Sequence, residues 1–255
     1  MRIGYGELKE FLEEKYDLYN RPQFIESDPI FVPHQFTRKE DIEIAAFFTA
    51  TFAWGQRPTI IRNGLRLMEL MDNQPYEFVA RHSEKDLNVF KGFTHRTFQA
   101  ADAIYFIRSL KNLYTNCKGM EGAFKPAKGK DMYSGLTRFR KLFLGKYPPG
   151  RTAKHIADAG KSASAKRLNM FLRWMVRNDK RGVDFGLWKS ISPALLYCPR
   201  DLHSGRVARK LGLLKRMQDD WKAVAELTKA LRKLDARDPV KYDFALYGLG
   251  VFEKF

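Results

Sequence analysis

The sequence contains only two cysteines, no long hydrophobic run and no segment with the features of a secretion signal. Cys117 and Cys198 lack the spacing of metal ligands, which argues against a zinc module and predicts reduced thiols. No apolar run is long enough to span a bilayer, and residues 1–5 lack the hydrophobic core of a signal peptide. We therefore expect a cytoplasmic protein with no metal site and no membrane association.

Strand patterns and nucleotide-binding loops are missing as well. No segment alternates apolar and polar residues over any length, and neither a Walker loop nor a dinucleotide-binding fingerprint is present. Apolar residues recur instead every three or four positions, which is the spacing of an amphipathic helix. The sequence therefore predicts an all-α protein, and we expect it to need no cofactor.

Acidic residues are scarce relative to basic ones. The chain has 46 Lys and Arg residues but only 29 Asp and Glu residues, which gives a net charge of +17. Such an excess favours a polyanionic partner, most commonly nucleic acid, although a generic basic surface would give the same count. Because the basic residues occur along the whole chain, they do not form a disordered basic tail.

Residues 164–213 contain two candidate catalytic side chains. Apolar residues at 168, 171, 172 and 175 predict a helix that begins near Lys166. Pro199 interrupts the chain, and Asp201 is then a good N-cap for a second helix. The helix macrodipole and burial would both favour the neutral amine of Lys166, which could then act as a nucleophile. Taken singly, a solvated lysine and a capping aspartate are the more common outcomes.

Local start signals predict several further helices. Thr37 and Glu40 have the spacing of a capping box, and Asp238 followed by Pro239 is typical of the start of a final helix. Helical segments are predicted at residues 7–19, 37–55, 58–71, 75–81, 97–112, 132–144, 220–234 and from 238 onward.

The central stretch resembles the helix-hairpin-helix DNA glycosylases, the superfamily of endonuclease III and the 8-oxoguanine DNA glycosylases. The matching residues are Lys166, Asn169 and Leu172 in the first helix, then Pro199, Asp201, His203, Arg206, Val207, Leu211 and Gly212. Within the superfamily the chain is most similar to a bacterial branch that shares Lys-Arg-Leu-Asn-x-Phe-Leu-Arg-Trp-Met and the string at residues 238–246. The branch resemblance covers most of the chain.

The resemblance implies a DNA base-excision glycosylase, possessing AP-lyase activity, that acts on a damaged base in duplex DNA as a monomer. Lys166 would be the nucleophile and Asp201 would assist it. The implied DNA contacts are Gln56, Arg57, Arg96, Gly160, Lys161, Ser162 and His203. Aromatic candidates for stacking on a base, each also a candidate core residue, are Trp54, Phe93, Trp174 and Trp188.

The resemblance also implies one glycosylase-like unit over residues 1–255, with two helical lobes that flank a cleft. One lobe would span 37–145, and the other would combine 1–36 with 146–255 and include a hairpin-like segment at 156–177. The hairpin of relatives reads Leu-Pro-Gly-Val-Gly, whereas residues 156–165 keep one glycine and lack the Gly-x-Gly turn. A non-catalytic DNA- or RNA-binding protein on the same scaffold is therefore the alternative function. A helical protein-interaction module would leave the positive charge unexplained.

Overall fold

A computed structural model describes residues 4–146 and 148–255, and this part of the chain is mostly helical. Residues 1–3, part of the segment considered above for a secretion signal, lie outside it. The α-helices are α1 Tyr5–Tyr19, α2 Lys39–Phe52, α3 Arg57–Glu69, α4 Pro75–Arg81, α5 Ala100–Asn116, α6 Gly119–Phe124, α7 Met132–Leu144, α8 Gly150–Ala153, α9 Lys166–Val176, α10 Leu202–Lys210, α11 Trp221–Leu234 and α12 Tyr242–Val251. The all-α prediction is confirmed. None of the described helices combines the length and the apolar character that crossing a membrane requires.

The chain forms two compact units with their own internal packing. The first unit combines Met1–Phe24 with Asp158–Phe255, and the second unit is Ile25–Ala157. The first unit therefore draws on both ends of the chain, while the second is continuous in sequence. Lys166 and Asp201 belong to the first unit, whereas Gln56, Arg57 and Arg96 belong to the second.

The core of the second unit is built from phenylalanines. Phe47 of α2 is fully buried and lies 5.6 Å, between ring centroids, from both Phe106 of α5 and Phe139 of α7. Residues 42–52 of α2 are all buried, which is typical of a helix that is enclosed on every side. Because aromatic pairs at these distances stabilise beyond their buried area, this cluster fixes the packing of the helices around α2.

A short antiparallel hairpin precedes α5, where the sequence predicted no strand. Strands β1 (Thr94–His95) and β2 (Phe98–Gln99) have two residues each, so they are too short to produce a periodic pattern. Helix α5 consequently begins at Ala100, and the prediction that it starts at residue 97 is wrong. The Asp102 carboxylate accepts the Gln99 N–H at 2.8 Å and fixes this start.

The predicted capping box at Thr37 is also wrong. Helix α2 has Arg38 at its N-cap, and no side chain forms a capping hydrogen bond there. The helix begins one residue later than the box requires, which places Asp41 rather than Glu40 at the third helical position. The Asp41 carboxylate accepts the Tyr76 N–H at 2.8 Å, so a tertiary contact with α4 uses this carboxylate.

In the first unit, glycines allow α12 to approach its neighbours closely. A Cβ atom at Gly248 would lie 2.1 Å from the Tyr19 ring of α1. A Cβ atom at Gly250 would lie 3.0 Å from Cβ of His203 in α10. Helix α12 starts at Tyr242, after a 3-10 turn at Pro239–Lys241 that takes the place of the predicted helical start at 238.

A buried ion cluster anchors the C-terminal part of α9. The Arg173 guanidinium contacts Asp184 at 3.2 Å and Asp243 at 2.5 Å. Arg177, fully buried, donates through Nε to both carboxylate oxygens of Asp238 at 3.0 Å and also pairs with Asp184. Buried charges need such partners because removing them from water is costly. The cluster joins α9 to the loop that follows it and to the start of α12.

Candidate functional site

Lys166 is the first residue of α9, as the sequence predicts. The residue before it, Ala165, is buried and has φ of 50°, a left-handed conformation that costs a non-glycine residue about 1–2 kcal/mol. Lys166 is half-buried, and no carboxylate in the described ranges forms an ion pair with it. The amine of Lys166 therefore belongs to the first residue of a helix and has no bonded counter-ion. The residue that precedes it in the chain is in a strained conformation.

Asp201 is the N-cap of α10, which confirms the prediction for this residue. Its Oδ1 accepts the Ser204 N–H at 2.8 Å, and its own N–H donates to the Ser204 hydroxyl at 2.9 Å. Within residues 4–146 and 148–255, no hydrogen bond uses Oδ2 of Asp201. One carboxylate oxygen therefore holds the helix start, while the other remains available to a ligand.

A second carboxyl group, that of Asp243, is influenced by the charges of both residues. Its oxygens accept the Arg173 guanidinium at 2.5 Å and the Cys198 thiol at 3.8 Å. Burial raises the pKa of Asp243 to about 6; Arg173 opposes this, the charge of Asp201 adds to it, and the charge of Lys166 opposes it. The charges of Lys166 and Asp201 thus act in opposite directions on the pKa of one buried carboxyl.

Sequence analysis missed Asp243 as a site residue, although a signal for it was present. The residue lies in the string 238–246, which the chain shares with the bacterial branch. The influence of Lys166 on Asp243 depends on how α12 packs in the first unit, and that packing leaves no trace in local spacing.

Cys198 is not a suitable nucleophile for this site. Burial raises the pKa of its thiol well above the ordinary value, and the neighbouring charge of Asp243 raises it further. Because the thiolate is the reactive form, a thiol held protonated at neutral pH is chemically inert. Of the side chains around Asp243, the Lys166 amine remains the best candidate for nucleophilic chemistry.

Backbone amides of the hairpin-like segment form hydrogen bonds within the segment itself. Residues Ala159–Lys161 form a 3-10 turn, in which Lys161 N–H donates to Asp158 O and Ser162 N–H to Ala159 O, both at 3.0 Å. Ser162 closes the turn in a left-handed conformation with φ of 65°. Gly160 and the side chains of Lys161 and Ser162 are exposed, so this segment can contact a phosphate mainly through side chains.

Two of the three predicted DNA contacts in the second unit line one cavity. Gln56 and Arg96 enclose a space of about 220 Å³ together with Trp54 and His95. Arg57 instead lines a larger groove, of about 810 Å³, that follows one side of α3. The structure therefore brings Gln56 and Arg96 together and places Arg57 beside a different surface.

The remaining candidates are divided between surface and core. His203 is exposed on the first turn of α10, where an imidazole is accessible to a partner. Phe93, Trp174 and Trp188 are buried in the core and are not placed to stack on a base. Trp54 is half-buried and lines the 220 Å³ cavity, so it is the aromatic candidate that a ligand could reach.

Replacing Asp243 by Asn should change how stability depends on pH. An aspartate whose pKa is raised from 3.8 to about 6 on folding stabilises the native state below pH 4, where it stays protonated. That advantage is lost as the pH rises through 6, whereas Asn cannot titrate. Between pH 4 and pH 7 the wild type should lose about 2 kcal/mol relative to Asp243→Asn, measured by urea unfolding. Parallel pH profiles for the two proteins would contradict this assignment.

Comparison with known proteins assigns the chain to one family, through a match that covers most of its length. No curated protein and no solved structure matches this sequence. One family model matches residues 28–252. This range includes the residues that line the 220 Å³ cavity, and it also includes Lys166, Asp201 and Asp243. Since that match extends over most of the 255 residues, the chain belongs to the family described as "Protein of unknown function (DUF2400)".

Proposed function

We propose that the protein is a DNA base-excision glycosylase with AP-lyase activity. The observation that carries the proposal is the influence of both Lys166 and Asp201 on the same buried carboxyl, that of Asp243. An amine and a carboxylate that both influence one buried group support the proposal, because a lysine-dependent glycosylase needs both side chains. The net charge of +17 and the resemblance of residues 166–172 and 199–212 to the helix-hairpin-helix glycosylases support DNA as the partner.

The proposed reaction begins with a damaged nucleotide that is flipped out of the duplex, at a cost of roughly a few kcal/mol. Lys166 gives up a proton to Asp201 and its amine attacks the sugar C1′, while the base leaves with the bonding electrons and is protonated by solvent. The C1′–O4′ bond of this adduct then breaks as O4′ takes up a proton, which converts the adduct into an imine between Lys166 and the opened sugar. The imine permits strand cleavage by elimination. Asp201 also stabilises the positive charge that develops on the sugar.

The finer features of the proposal rest on the resemblance. We propose the two-lobed glycosylase-like arrangement with a cleft between the lobes, and a monomer that acts in the cytoplasm. Gln56, Arg57 and Arg96 in the second unit, with Gly160, Lys161, Ser162 and His203 in the first, are the proposed DNA contacts.

Asp201→Asn tests the proposed function directly. Asparagine caps a helix as well as aspartate does, so the free energy of unfolding should change by less than about 0.5 kcal/mol. Base release from duplexes that contain an oxidised purine should nevertheless slow by about a hundredfold or more, because the amide cannot accept the Lys166 proton. Release is measured by gel electrophoresis after alkaline cleavage. An unchanged release rate would remove Asp201 from the mechanism.

Binding to duplex DNA should weaken steeply as salt is added. Each phosphate that a Lys or Arg side chain neutralises releases counterions, so the affinity falls as a power of the salt concentration. With about six phosphate contacts the loss is roughly a thousandfold from about 50 mM to about 200 mM salt. Fluorescence anisotropy of a labelled duplex measures this. Affinity that does not depend on salt, or no binding in low salt, would eliminate nucleic acid as the partner.

A non-catalytic DNA- or RNA-binding protein on this scaffold is the second candidate. The internally bonded amides of Lys161 and Ser162 favour it, because the glycosylases use the corresponding turn to hold a DNA phosphate. This candidate predicts the same salt dependence without base release. Activity on a damaged duplex therefore distinguishes the two functions.

A further inference from the structure

The cavity of about 220 Å³ in the second unit lies where the start of α3 meets the β1–β2 hairpin. Its lining residues are Trp54, Gly55, Gln56, Thr59, His95 and Arg96. None of these side chains is a carboxylate, and five of the six residues have a side chain that can donate a hydrogen bond. A cavity with this lining selects for an acceptor-rich or anionic ligand.

The α3 helix presents its positive end to this cavity. Gln56 is the N-cap residue, but its side chain makes no capping hydrogen bond. Thr59, in the first turn, lines the cavity and adds a hydroxyl group. Pro58 removes one N–H group from the first turn, but the macrodipole and the remaining N–H groups of a helix start without a side-chain cap still favour anions.

His95 supplies an independent indication of a ligand. It is only 1% exposed, and Asn63 Nδ2 donates to its Nδ1 at 2.9 Å. That bond assigns the ring proton to Nε2, which makes no hydrogen bond of normal length and angle within the described part of the chain, although the carbonyls of Phe52 and Trp54 lie near the ring. Burial lowers the pKa of His95, with the carbonyls of Phe52 and Trp54 opposing, so the ring is a neutral donor at pH 7.

Arg96 brings a positive charge to the same place. Its φ is 55°, which is a costly conformation for an arginine, and it occupies the turn between β1 and β2. Gly55 has φ of 108°, and a Cβ atom there would lie 2.8 Å from Nη1 of Arg96. The absence of a side chain at Gly55 lets the guanidinium lie against the backbone. Among the ion pairs of the described residues, none includes Arg96.

We propose that this cavity binds a phosphate group. The Arg96 guanidinium, the His95 Nε2–H, the Thr59 hydroxyl and the start of α3 form a donor set with one net positive charge, and a tetrahedral oxyanion can accept from several directions at once. The cavity is larger than a phosphate alone, so a phosphate ester also fits. Arg96 and Gln56 are also proposed DNA contacts, so this inference rests in part on the proposed function and names the group that they would hold, but it does not depend on the Lys166 chemistry.

The test uses the full-length protein and inorganic phosphate. Phosphate should shift the NMR signals of the His95 Nε2–H and the Thr59 amide, and Arg96→Gln should weaken binding by at least about tenfold. Gln56→Ala, a second variant at the exposed helix start, should weaken it to a lesser extent. Arg62→Gln is the matched control: Arg62 is an exposed arginine of α3 outside this cavity, and its loss should change phosphate binding less than twofold.

Each outcome of the titration decides the proposal. Absence of both shifts at tens of millimolar phosphate, or equal weakening by Arg96→Gln and Arg62→Gln, would overturn it, and so would equally strong binding of acetate. Comparison of single strands with and without a 5′-phosphate, and of unmodified duplex, distinguishes a nucleic-acid phosphate from a free one. Phosphate binding can persist in a protein that releases no base, and base release can persist without it, so failure of one proposal is separable from failure of the other.

Discussion

Lys166→Gln should abolish the covalent adduct that borohydride traps between this protein and DNA that contains an abasic site. A lysine nucleophile passes through an imine with the sugar, and borohydride reduces that imine to a stable amine. Glutamine has a similar length but cannot form the imine, so the adduct yield should fall by at least about a thousandfold. The adduct is measured as a band of lower mobility on a denaturing gel with labelled DNA.

Lys161→Gln is the matched control for this experiment. Lys161 lies five positions earlier, is exposed, and would be the nucleophile under a different alignment of the hairpin-like segment. It should retain close to the wild-type adduct yield. If Lys161→Gln removes the adduct while Lys166→Gln does not, the enzyme stands but its nucleophile is Lys161. If the wild type forms no adduct with abasic or oxidised-purine DNA, a binding protein becomes the better description.

Arg177→Met should have the largest effect on stability. Arg177 is fully buried, and although burial disfavours its charge, Asp184 and Asp238 raise its pKa well above the ordinary value. Its removal leaves the buried carboxylate of Asp184 and the half-buried carboxylate of Asp238 short of a counter-charge, for which losses of about 3–5 kcal/mol are typical. That is a large fraction of the about 5–15 kcal/mol by which folded domains are stable. Urea unfolding followed by circular dichroism measures the loss.

Arg81→Met provides the control for a surface charge. Arg81 is 81% exposed and pairs only with Glu77 on the same helix, within the described part of the chain. Such a pair contributes at most about 1 kcal/mol, because water screens it. If Arg177→Met cost no more than Arg81→Met, the buried cluster would not be what holds α9 to the start of α12.

The accuracy of the sequence-based predictions depended on whether each signal was local. Lys166 at the start of α9 and Asp201 at the N-cap of α10 were both predicted, since apolar spacing, a preceding proline and a capping side chain act within one or two turns. The capping box at Thr37 is absent because α2 begins one residue later than the box requires; Asp41, which then takes the third helical position, contacts α4, and no local rule includes that contact.

The candidate sites were harder to predict for the same reason. Asp243 is distant in sequence from Lys166, and only the packing of α12 brings its carboxyl under the influence of that amine. Gln56 and Arg96 were identified separately by resemblance, but their common cavity depends on a hairpin of two-residue strands, which has no periodic signature.

By itself, the sequence determined the helical class, the starts of α9 and α10 and the strong positive charge, because these follow from composition and from interactions between near neighbours. Only the tertiary structure decided which buried charges share partners, which backbone amides are already bonded and which donors enclose a cavity. Those features depend on contacts between segments far apart in the chain. Burial then alters the chemistry of the groups involved, as it does for the pKa of Asp243 and for the unpartnered Nε2–H of His95.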